Sequence, residues 1–403
     1  MDNLEEELRK RVIEEIDLSQ DISDEEIQGI IKRQIINLAG EMPISLRDRK
    51  YLESHVFNTL RKLDVLEDLL ADENITEIMI NGPDDIFIEK KGRVMRAPQK
   101  FSSAEKLDDI IQNIVARNNK IVNESNPIVD TRLADGSRVN IVLKPAAVDH
   151  SIISIRKFPK EQMTMARLKE YGSIGDEQIE FLRKLVVSGY NFFISGGTGS
   201  GKTSFLNAMA EFIPADERVI TIEDSAELQI RNINNLVRLE ARNANLEGKN
   251  EITIRDLVKT SLRMRPDRII VGECRGAEAL EMLSAFNTGH DGSASTGHSN
   301  SCQDMLSRLE TMVLMGAELP LQAIRQQIAA GVDIIVQLGR LRDKSRKVLE
   351  IVEVDGMEQD RIVLNPLYKF KELDEVNERI VGTWEKTGEL KHREKLQMSG
   401  LSI

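Results

Sequence analysis

An eight-residue stretch near the middle of the 403-residue chain, Gly196-Gly-Thr-Gly-Ser-Gly-Lys-Thr203, constrains the fold more than any other feature. It fits the pattern GxxxxGK[ST] at every position, and it stands between an apolar segment at 192–194 and a helical stretch at 204–212. Glycines permit the left-handed backbone of such a loop, so successive N–H groups can close around an anion where the helix starts. The sequence therefore predicts a phosphate-binding loop at a strand-to-helix junction of an α/β domain.

Two side chains of this loop have predicted chemical roles. We expect Lys202 to reach the β and γ phosphates of a nucleoside triphosphate and the Thr203 hydroxyl to bind Mg²⁺. The alternative, a structural Gly-rich turn, does not explain why Lys-Thr starts the helix. The predicted nucleotide-binding residues of the loop are Gly196, Gly197, Thr198, Gly199, Ser200, Gly201, Lys202, Thr203 and Ser204.

Two further apolar segments end in acidic residues. Residues 268–271 lead to Glu273, and residues 220–222 lead to Glu223 and Asp224. Because the carboxyl ends of parallel strands meet at one edge of a sheet, these acids are expected beside the phosphate loop. Glu273 is the predicted catalytic glutamate that positions and deprotonates the attacking water, and Glu223 is a second catalytic candidate. Glu223, Asp224 and Glu273 are predicted, with Thr203, to surround Mg²⁺, although a purely structural acid is the alternative at both strand ends.

A Gly- and Ser-rich segment at 288–300 carries two of the five histidines. An imidazole there suits a sensor of the γ-phosphate, and His298 is the predicted catalytic sensor. The alternatives are ordinary loop packing and a zinc site made with Cys274, Cys302 and His290, for which no CxxC or HxxxH spacing is present.

Arginines that reach the γ-phosphate stabilise the charge of the transition state, and a neighbouring subunit can supply them. Each candidate has a solvated surface charge as its alternative, and the sequence does not rank them. The candidates for nucleotide contact are Arg132, Arg138, Arg156, Arg238 and Arg242.

Hydrophobic periodicity changes along the chain. Up to about residue 70, apolar residues recur every three or four positions, which predicts a helical bundle whose second helix starts with the capping box Ser23-Asp-Glu-Glu26. Between 75 and 158 the period is mostly two, which predicts an α+β domain with a tight turn at Asp135-Gly136. After Gly172, short apolar strands alternate with helices, as in a mostly parallel sheet. The expected strands of this sheet are 191–194, 219–222, 235–239, 268–271, 293–296 and 333–337.

These changes predict a division into five parts. They are a helical bundle at 1–70, an α+β domain at 71–159, a linker at 160–171, a P-loop α/β domain at 172–374 and a peripheral, helical tail at 375–403.

Composition excludes several classes of protein. With 40% apolar residues the chain can bury a core in each domain. A net charge of −12 and 4% aromatic residues argue against a protein that binds nucleic acid through bulk positive charge. No segment approaches the roughly 18 apolar residues of a membrane span, the acidic start does not resemble a signal peptide, and the two cysteines provide no disulfide framework. We therefore expect a soluble cytosolic protein.

Five segments together resemble the Walker A, Asp, Arg, Walker B and His boxes of type II and type IV secretion ATPases. In order they are GGTGSGKT from Gly196, IEDSAEL from Ile222, VRLEAR from Val237, RMRPDRIIVGE from Arg263 and NTGHDGS from Asn287. Segments 130–139, 245–249 and 256–258 are similar to the CpaF-type branch, which powers tight-adherence (Flp) pilus assembly. The resemblance spans roughly residues 66–370, with Cys274 and Ser299 departing from the commonest pattern.

The resemblance implies a fold, an activity and partners. The expected fold is a RecA-like P-loop ATPase domain preceded by a small α+β (PAS-like) domain and the helical bundle. ATP and Mg²⁺ are the implied cofactors, with Glu273 as the Walker B glutamate, Glu223 in the Asp box and His298 in the His box. The implied assembly is a cytoplasmic homohexamer, peripherally associated with the inner face of the cell membrane, that drives inner-membrane platform proteins of a pilus or secretion machine.

Two other functions are less well supported by the sequence. A nucleic-acid motor of a conjugation-type secretion system would favour a basic, aromatic-lined channel, which the acidic balance and the 4% aromatic content argue against. A regulatory GTPase is disfavoured because the chain contains no NKxD base-recognition motif.

Overall fold

The computed structural model describes residues 2–15, 23–61, 63–90, 92–118, 120–158, 162–242 and 250–403. It divides into two compact units, Met1–Lys160 and Glu161–Ile403. The division falls within the predicted linker at 160–171, although Met165–Glu170 of that range forms a helix. The five-part division itself remains a prediction.

The first unit begins with helices and continues as an antiparallel sheet. Its elements are α1 (Asp2–Glu15), α2 (Asp24–Glu41), α3 (Leu46–Arg61), α4 (Leu66–Ala71), β1 (Ile75–Ile80), β2 (Ile86–Lys90), β3 (Arg93–Arg96), α5 (Ala104–Ala116), β4 (Ile128–Arg132), β5 (Arg138–Val142) and β6 (Ile152–Arg156). The described strands are arranged in the order β3-β2-β1-β6-β5-β4. This confirms the predicted change from helical to strand periodicity near residue 75.

Two local predictions in this unit are confirmed. The capping box at the start of α2 is formed, with the Glu26 N–H donating to Ser23 Oγ at 3.3 Å and the Ser23 N–H donating to Glu26 Oε2 at 2.9 Å. The turn between β4 and β5 contains Gly136 with φ +89°, a backbone conformation that favours glycine.

The second unit is built on a mixed sheet. Its elements are α6 (Met165–Glu170), α7 (Asp176–Val187), β7 (Phe192–Gly196), α8 (Lys202–Met209), β8 (Arg218–Glu223), β9 (Asn235–Glu240), α9 (Ile254–Ser261), β10 (Arg268–Val271), α10 (Ala279–Phe286), β11 (Ala294–Gly297), α11 (Cys302–Gly316), α12 (Leu321–Gly331), β12 (Ile334–Arg340), β13 (Arg346–Glu358), β14 (Arg361–Val376), β15 (Arg379–Lys386) and α13 (Glu394–Met398). The described strands follow the order β15-β14-β13-β12-β7-β11-β10-β8-β9.

The six strands expected from the sequence form the parallel part of this sheet, from β12 to β9. β7 lies inside it, between β12 and β11, and is covered on both faces. Phe192 and Ile194 belong to the core under α6–α8, whereas Phe193 belongs to the core under α9–α12. The strand that leads into the phosphate loop is thus fixed from both sides.

The C-terminal region differs from the expectation of a peripheral helical tail. β14 continues to Val376, β15 pairs with it in the sheet, and only the short α13 follows. Leu390 and Leu396 are buried in the core that also contains Phe192 and Ile194 of β7. The sequence does not indicate this strand clearly, because β15 lies at the edge of the sheet with mostly exposed side chains, so its alternation of buried apolar residues is weak. None of the described helices combines the length and the apolar composition that a membrane span requires.

Candidate nucleotide site

The phosphate loop has the local geometry that its glycines predict. Gly199 and Gly201 have φ of +71° and +93°, and α8 begins immediately after Gly201. A Cβ at Gly196 would lie 2.5 Å from Ser200 Oγ and 2.7 Å from the Leu338 carbonyl oxygen. Glycine at 196 therefore lets the loop fold back closely against β12.

Lys202 lies across this loop and is 7% exposed. Its Nζ donates to the carbonyl oxygens of Gly196 and Gly197 at 3.0 and 3.1 Å, and it lies 3.2 Å from His298 Nδ1. An ammonium group has only donors, so it requires an acceptor at Nδ1. The contact therefore places the imidazole proton on Nε2.

Glu273 and His298 meet because they follow the neighbouring parallel strands β10 and β11. His298 Nε2 lies 2.9 Å from Glu273 Oε1, and Arg275 Nη2 donates to Glu273 Oε2 at 2.8 Å. Lys202, His298 and Glu273 therefore form a continuous chain of contacts at the carboxyl edge of the sheet.

The charges in this chain set its protonation. Burial raises the pKa of Glu273, but Arg275 by hydrogen bond and charge, together with the charge of Lys202, brings that pKa below its usual value. Burial lowers the pKa of His298, and the positive charge of Lys202 lowers it further. Near neutral pH the site thus contains a carboxylate and a neutral imidazole.

Glu223 is a second carboxyl at this edge, at the end of β8, and is 4% exposed. Its Oε1 accepts from the N–H groups of Glu227 and Leu228 at 2.8 and 2.9 Å, while Oε2 has no hydrogen-bond partner among the described residues. Burial is the main cause that raises the pKa of Glu223 to about 7, against the opposing effect of the two N–H groups. A Cβ at Gly272 would lie 2.8 Å from Glu223 Cγ, so glycine there makes room for this side chain.

The predicted Mg²⁺ ligands can be tested against this arrangement. Within the described ranges, no group of three or more His, Cys, Asp or Glu side chains could hold a metal ion by itself. Mg²⁺ at nucleotides is usually held by one or two carboxylates, with phosphate and water oxygens completing its shell. Thr203 in the first turn of α8 and the buried acceptor Glu223 Oε2 fit such a set. Asp224 fits it less well, because its Oδ2 lies 3.6 Å from the cationic Arg275 Nη1.

The zinc alternative has no support in the described residues. Cys274 is buried and its Sγ contacts Met312 Sδ at 3.8 Å, and Cys302 is also buried. His290 Nδ1 lies 3.2 Å from the Ala285 carbonyl oxygen, a local loop contact.

The structure places the five candidate arginines in two groups. Arg132, Arg138 and Arg156 belong to the first unit, where the strand register pairs Arg132 with Arg138 and Arg138 with Arg156. The register places all three on the sheet face opposite the α5 core, where Glu77 of β1 lies opposite Arg156. In the second unit, Arg238 Nη2 donates to the Ala226 carbonyl at 3.3 Å and Arg242 Nε donates to the Asn250 carbonyl at 2.9 Å.

Two arginines at the site were not among the candidates. Arg275 binds Glu273, and its position only two residues after Glu273 in the sequence is a pattern that indicates such a contact. Arg346 Nε donates to the Gly199 carbonyl of the phosphate loop at 2.8 Å. No sequence signal pointed to Arg346, because its contact depends on the antiparallel pairing of β13 with β12.

Comparisons with known proteins identify the class. Residues 59–381 match the family model described as type II/IV secretion system protein, and the chain belongs to this family. A putative conjugal transfer protein of Mycobacterium tuberculosis is 34% identical over 293 residues, which cover 71% of this chain and 83% of that protein. The type IV secretion system protein VirB11 of Brucella suis is 30% identical over 305 residues, covering 68% of this chain and 84% of VirB11.

The ATPase DotB of Legionella pneumophila has a similar fold. Its structure aligns with a TM-score of 0.51 and 23% identity, covering 72% of this chain and 79% of DotB. The predicted fold class is thereby confirmed, with a RecA-like P-loop domain preceded by a smaller N-terminal α+β domain. The chain is an ATPase of the type II/IV secretion system family.

Proposed function

We propose that this ATPase is a Mg²⁺-dependent hexameric motor that powers assembly of a tight-adherence (Flp) pilus or a related secretion machine. It works at the inner face of the cell membrane by driving an inner-membrane platform protein. Membership of the secretion family supports the general role. The resemblance of segments 130–139 and 256–258 to the CpaF-type branch supports the specific one.

The contact chain from Lys202 through His298 to Glu273 carries the catalytic part of this proposal. The 3.2 Å and 2.9 Å contacts of His298 connect the residue that would bind the phosphates with the residue that would activate water. In this arrangement His298 can respond to the γ-phosphate and change the environment of Glu273 at the same time. A surface acid or a packing histidine would not need both contacts.

Each side chain has a distinct role in the proposed mechanism. Lys202 leaves the loop carbonyls to bind the β and γ phosphates, and the N–H groups of the phosphate loop surround the same anion. Glu273, held as a carboxylate by Arg275, accepts a proton from the attacking water. An arginine from the candidate set stabilises the charge that develops on the γ-phosphate.

Thr203, Glu223 and Asp224 would hold Mg²⁺ or its water molecules, and Glu273 would lie near this shell. When bound, Mg²⁺ neutralises negative charge on the phosphate oxygens. Because the pKa of Glu223 is about 7, binding of a cation there would favour its ionised form and release a proton near neutral pH.

The decisive experiment compares the ATPase rate of the purified protein alone, with a membrane platform protein, and with DNA. Stimulation by the platform protein and not by DNA is expected. A sedimentation measurement with a non-hydrolysable ATP analogue should give a mass near six times 45.5 kDa. A strict monomer, or stimulation by DNA alone, would contradict the proposal.

A nucleic-acid motor of a conjugation-type system is the second candidate, because several relatives are named as conjugal transfer proteins. The net charge of −12 and the 4% aromatic content argue against tight binding of single strands. The DNA arm of the same experiment tests this candidate directly.

A further inference from the structure

A buried glutamine lies in the sheet directly beside the strand of the phosphate loop. Gln337 of β12 is 4% exposed and pairs in parallel register with Ser195 of β7, the residue before Gly196. Two positions earlier on the same face, Ile335 packs in the apolar core under α9–α12. An amide costs free energy in such a core unless it forms hydrogen bonds, so its contacts indicate its role.

The side chain of Gln337 contacts the backbone that follows His298. Its Nε2 lies 3.3 Å from the Ser299 carbonyl oxygen, to which it donates, and it shares this donor with the Leu338 carbonyl at 3.3 Å. Its Oε1 has no hydrogen-bond partner among the residues that the structure describes. The acceptor of this buried amide is thus unsatisfied within the described residues, and its donor is directed at the loop that carries His298.

The loop is also hydrogen-bonded at its C-terminal end, where α11 begins. Ser299 Oγ donates to the Ser301 carbonyl at 2.6 Å, and Ser301 Oγ caps α11 by accepting from the Asp304 N–H at 3.0 Å. These contacts attach the loop to α11, whereas Gln337 attaches it to the sheet beside β7. To contact both Lys202 and Glu273, the His298 ring needs a fixed position relative to the sheet. The hydrogen bond from Gln337 attaches its loop to that sheet.

We propose that Gln337 is a positioning residue for His298. Its amide holds the Ser299 carbonyl so that the imidazole stays between Lys202 and Glu273, and it touches none of the reacting groups itself. The inference rests on the role of His298 in the proposed function. A leucine has a similar volume and suits the surrounding core, so Gln337→Leu removes the hydrogen bond with little change in packing.

The test is a double-mutant cycle on kcat with Gln337→Leu, His298→Ala and the double variant. Loss of one hydrogen bond predicts that Gln337→Leu lowers kcat by about three- to tenfold, with ADP affinity unchanged. In the His298→Ala background, the same substitution should have no further effect, because the side chain that it positions is gone. Gln337→Met serves as a second variant if the leucine variant folds poorly.

Gln178→Leu is the matched control, since Gln178 is also buried, at 3% exposure, but lies on α7 rather than on β12 or in the loop that carries His298. Its effect on kcat should be the same in both backgrounds. Unchanged kcat in both Gln337 variants, or equal losses with and without His298, would refute the positioning role. Full activity of His298→Ala would contradict the role of His298 and, with it, the role of Gln337. Lys202→Ala separately tests whether the phosphate loop turns over ATP.

Discussion

The buried carboxyl of Glu223 makes a quantitative prediction about stability and pH. In the folded protein its pKa is raised to about 7 from an ordinary value of 4.5. Below pH 4.5 both the folded and the unfolded chain keep the proton, and the carboxyl is then compatible with its buried position. As the pH rises from 4.5 to 7, the unfolded chain loses the proton first, so the free energy of unfolding falls.

The size of this effect follows from the shift. A difference of about 2.5 pKa units corresponds to about 3 kcal/mol, which is lost fully once the pH exceeds the folded pKa. Glu223→Gln cannot ionise and retains an acceptor for the N–H groups of Glu227 and Leu228. The variant should therefore have roughly wild-type stability near pH 4.5 and be more stable by about 3 kcal/mol near pH 8.

Urea unfolding of nucleotide-free protein without Mg²⁺, at half-unit steps from pH 4.5 to 8.5, measures the difference between the two proteins. Thr221→Val is the matched control, because Thr221 is a buried side chain of the same strand with no titrating group. Its difference from wild type should be constant with pH. A constant difference for Glu223→Gln as well would show that this carboxyl is not destabilised by burial, and the reasoning would be wrong.

Three further substitutions test the proposed site. Lys202→Ala should abolish nucleotide binding or turnover, and wild-type ATPase activity in this variant would contradict the phosphate-loop assignment. Glu273→Gln should keep ATP bound while lowering kcat by at least about 100-fold, as expected for a general base, whereas equal losses of binding and turnover would indicate a structural residue. Arg346→Ala should raise KM by about three- to tenfold with little change in kcat, because the Gly199 carbonyl loses the donor that holds the loop. A lower melting temperature with unchanged KM would instead assign Arg346 to stability alone.

The parallel half of the fold was predictable because its strands are apolar and end in chemically distinctive residues. β10 was predicted with the bounds that the structure has, and β7 and β8 to within two residues. Each is buried along its length, so the apolar run and the strand coincide. The carboxyl edge then follows from parallel topology, which is why Glu273 and His298 could be expected on neighbouring strand ends.

The antiparallel half was not predictable in the same way. β14 and β15 have long exposed stretches, so few of their positions show the apolar alternation on which a strand assignment depends. Their pairing is set by hairpins and by β12, information that is not local in sequence. Arg346 was missed for this reason, since only the pairing of β13 brings it to Gly199.

The contacts of Lys202 have a consequence for how the site could respond to nucleotide. Its ammonium already contacts two carbonyl acceptors and the His298 imidazole, so a bound phosphate must replace these contacts. The free energy of phosphate binding therefore contains only the difference between the new contacts and the ones they replace. When Lys202 moves to the phosphate, His298 Nδ1 loses the donor that fixed the imidazole tautomer. The ring is then free to donate from either nitrogen, so Nε2 need not stay 2.9 Å from Glu273 Oε1. In the proposed mechanism, arrival of the phosphate thereby releases the carboxylate for its role toward water, which links binding to the start of hydrolysis through a single imidazole.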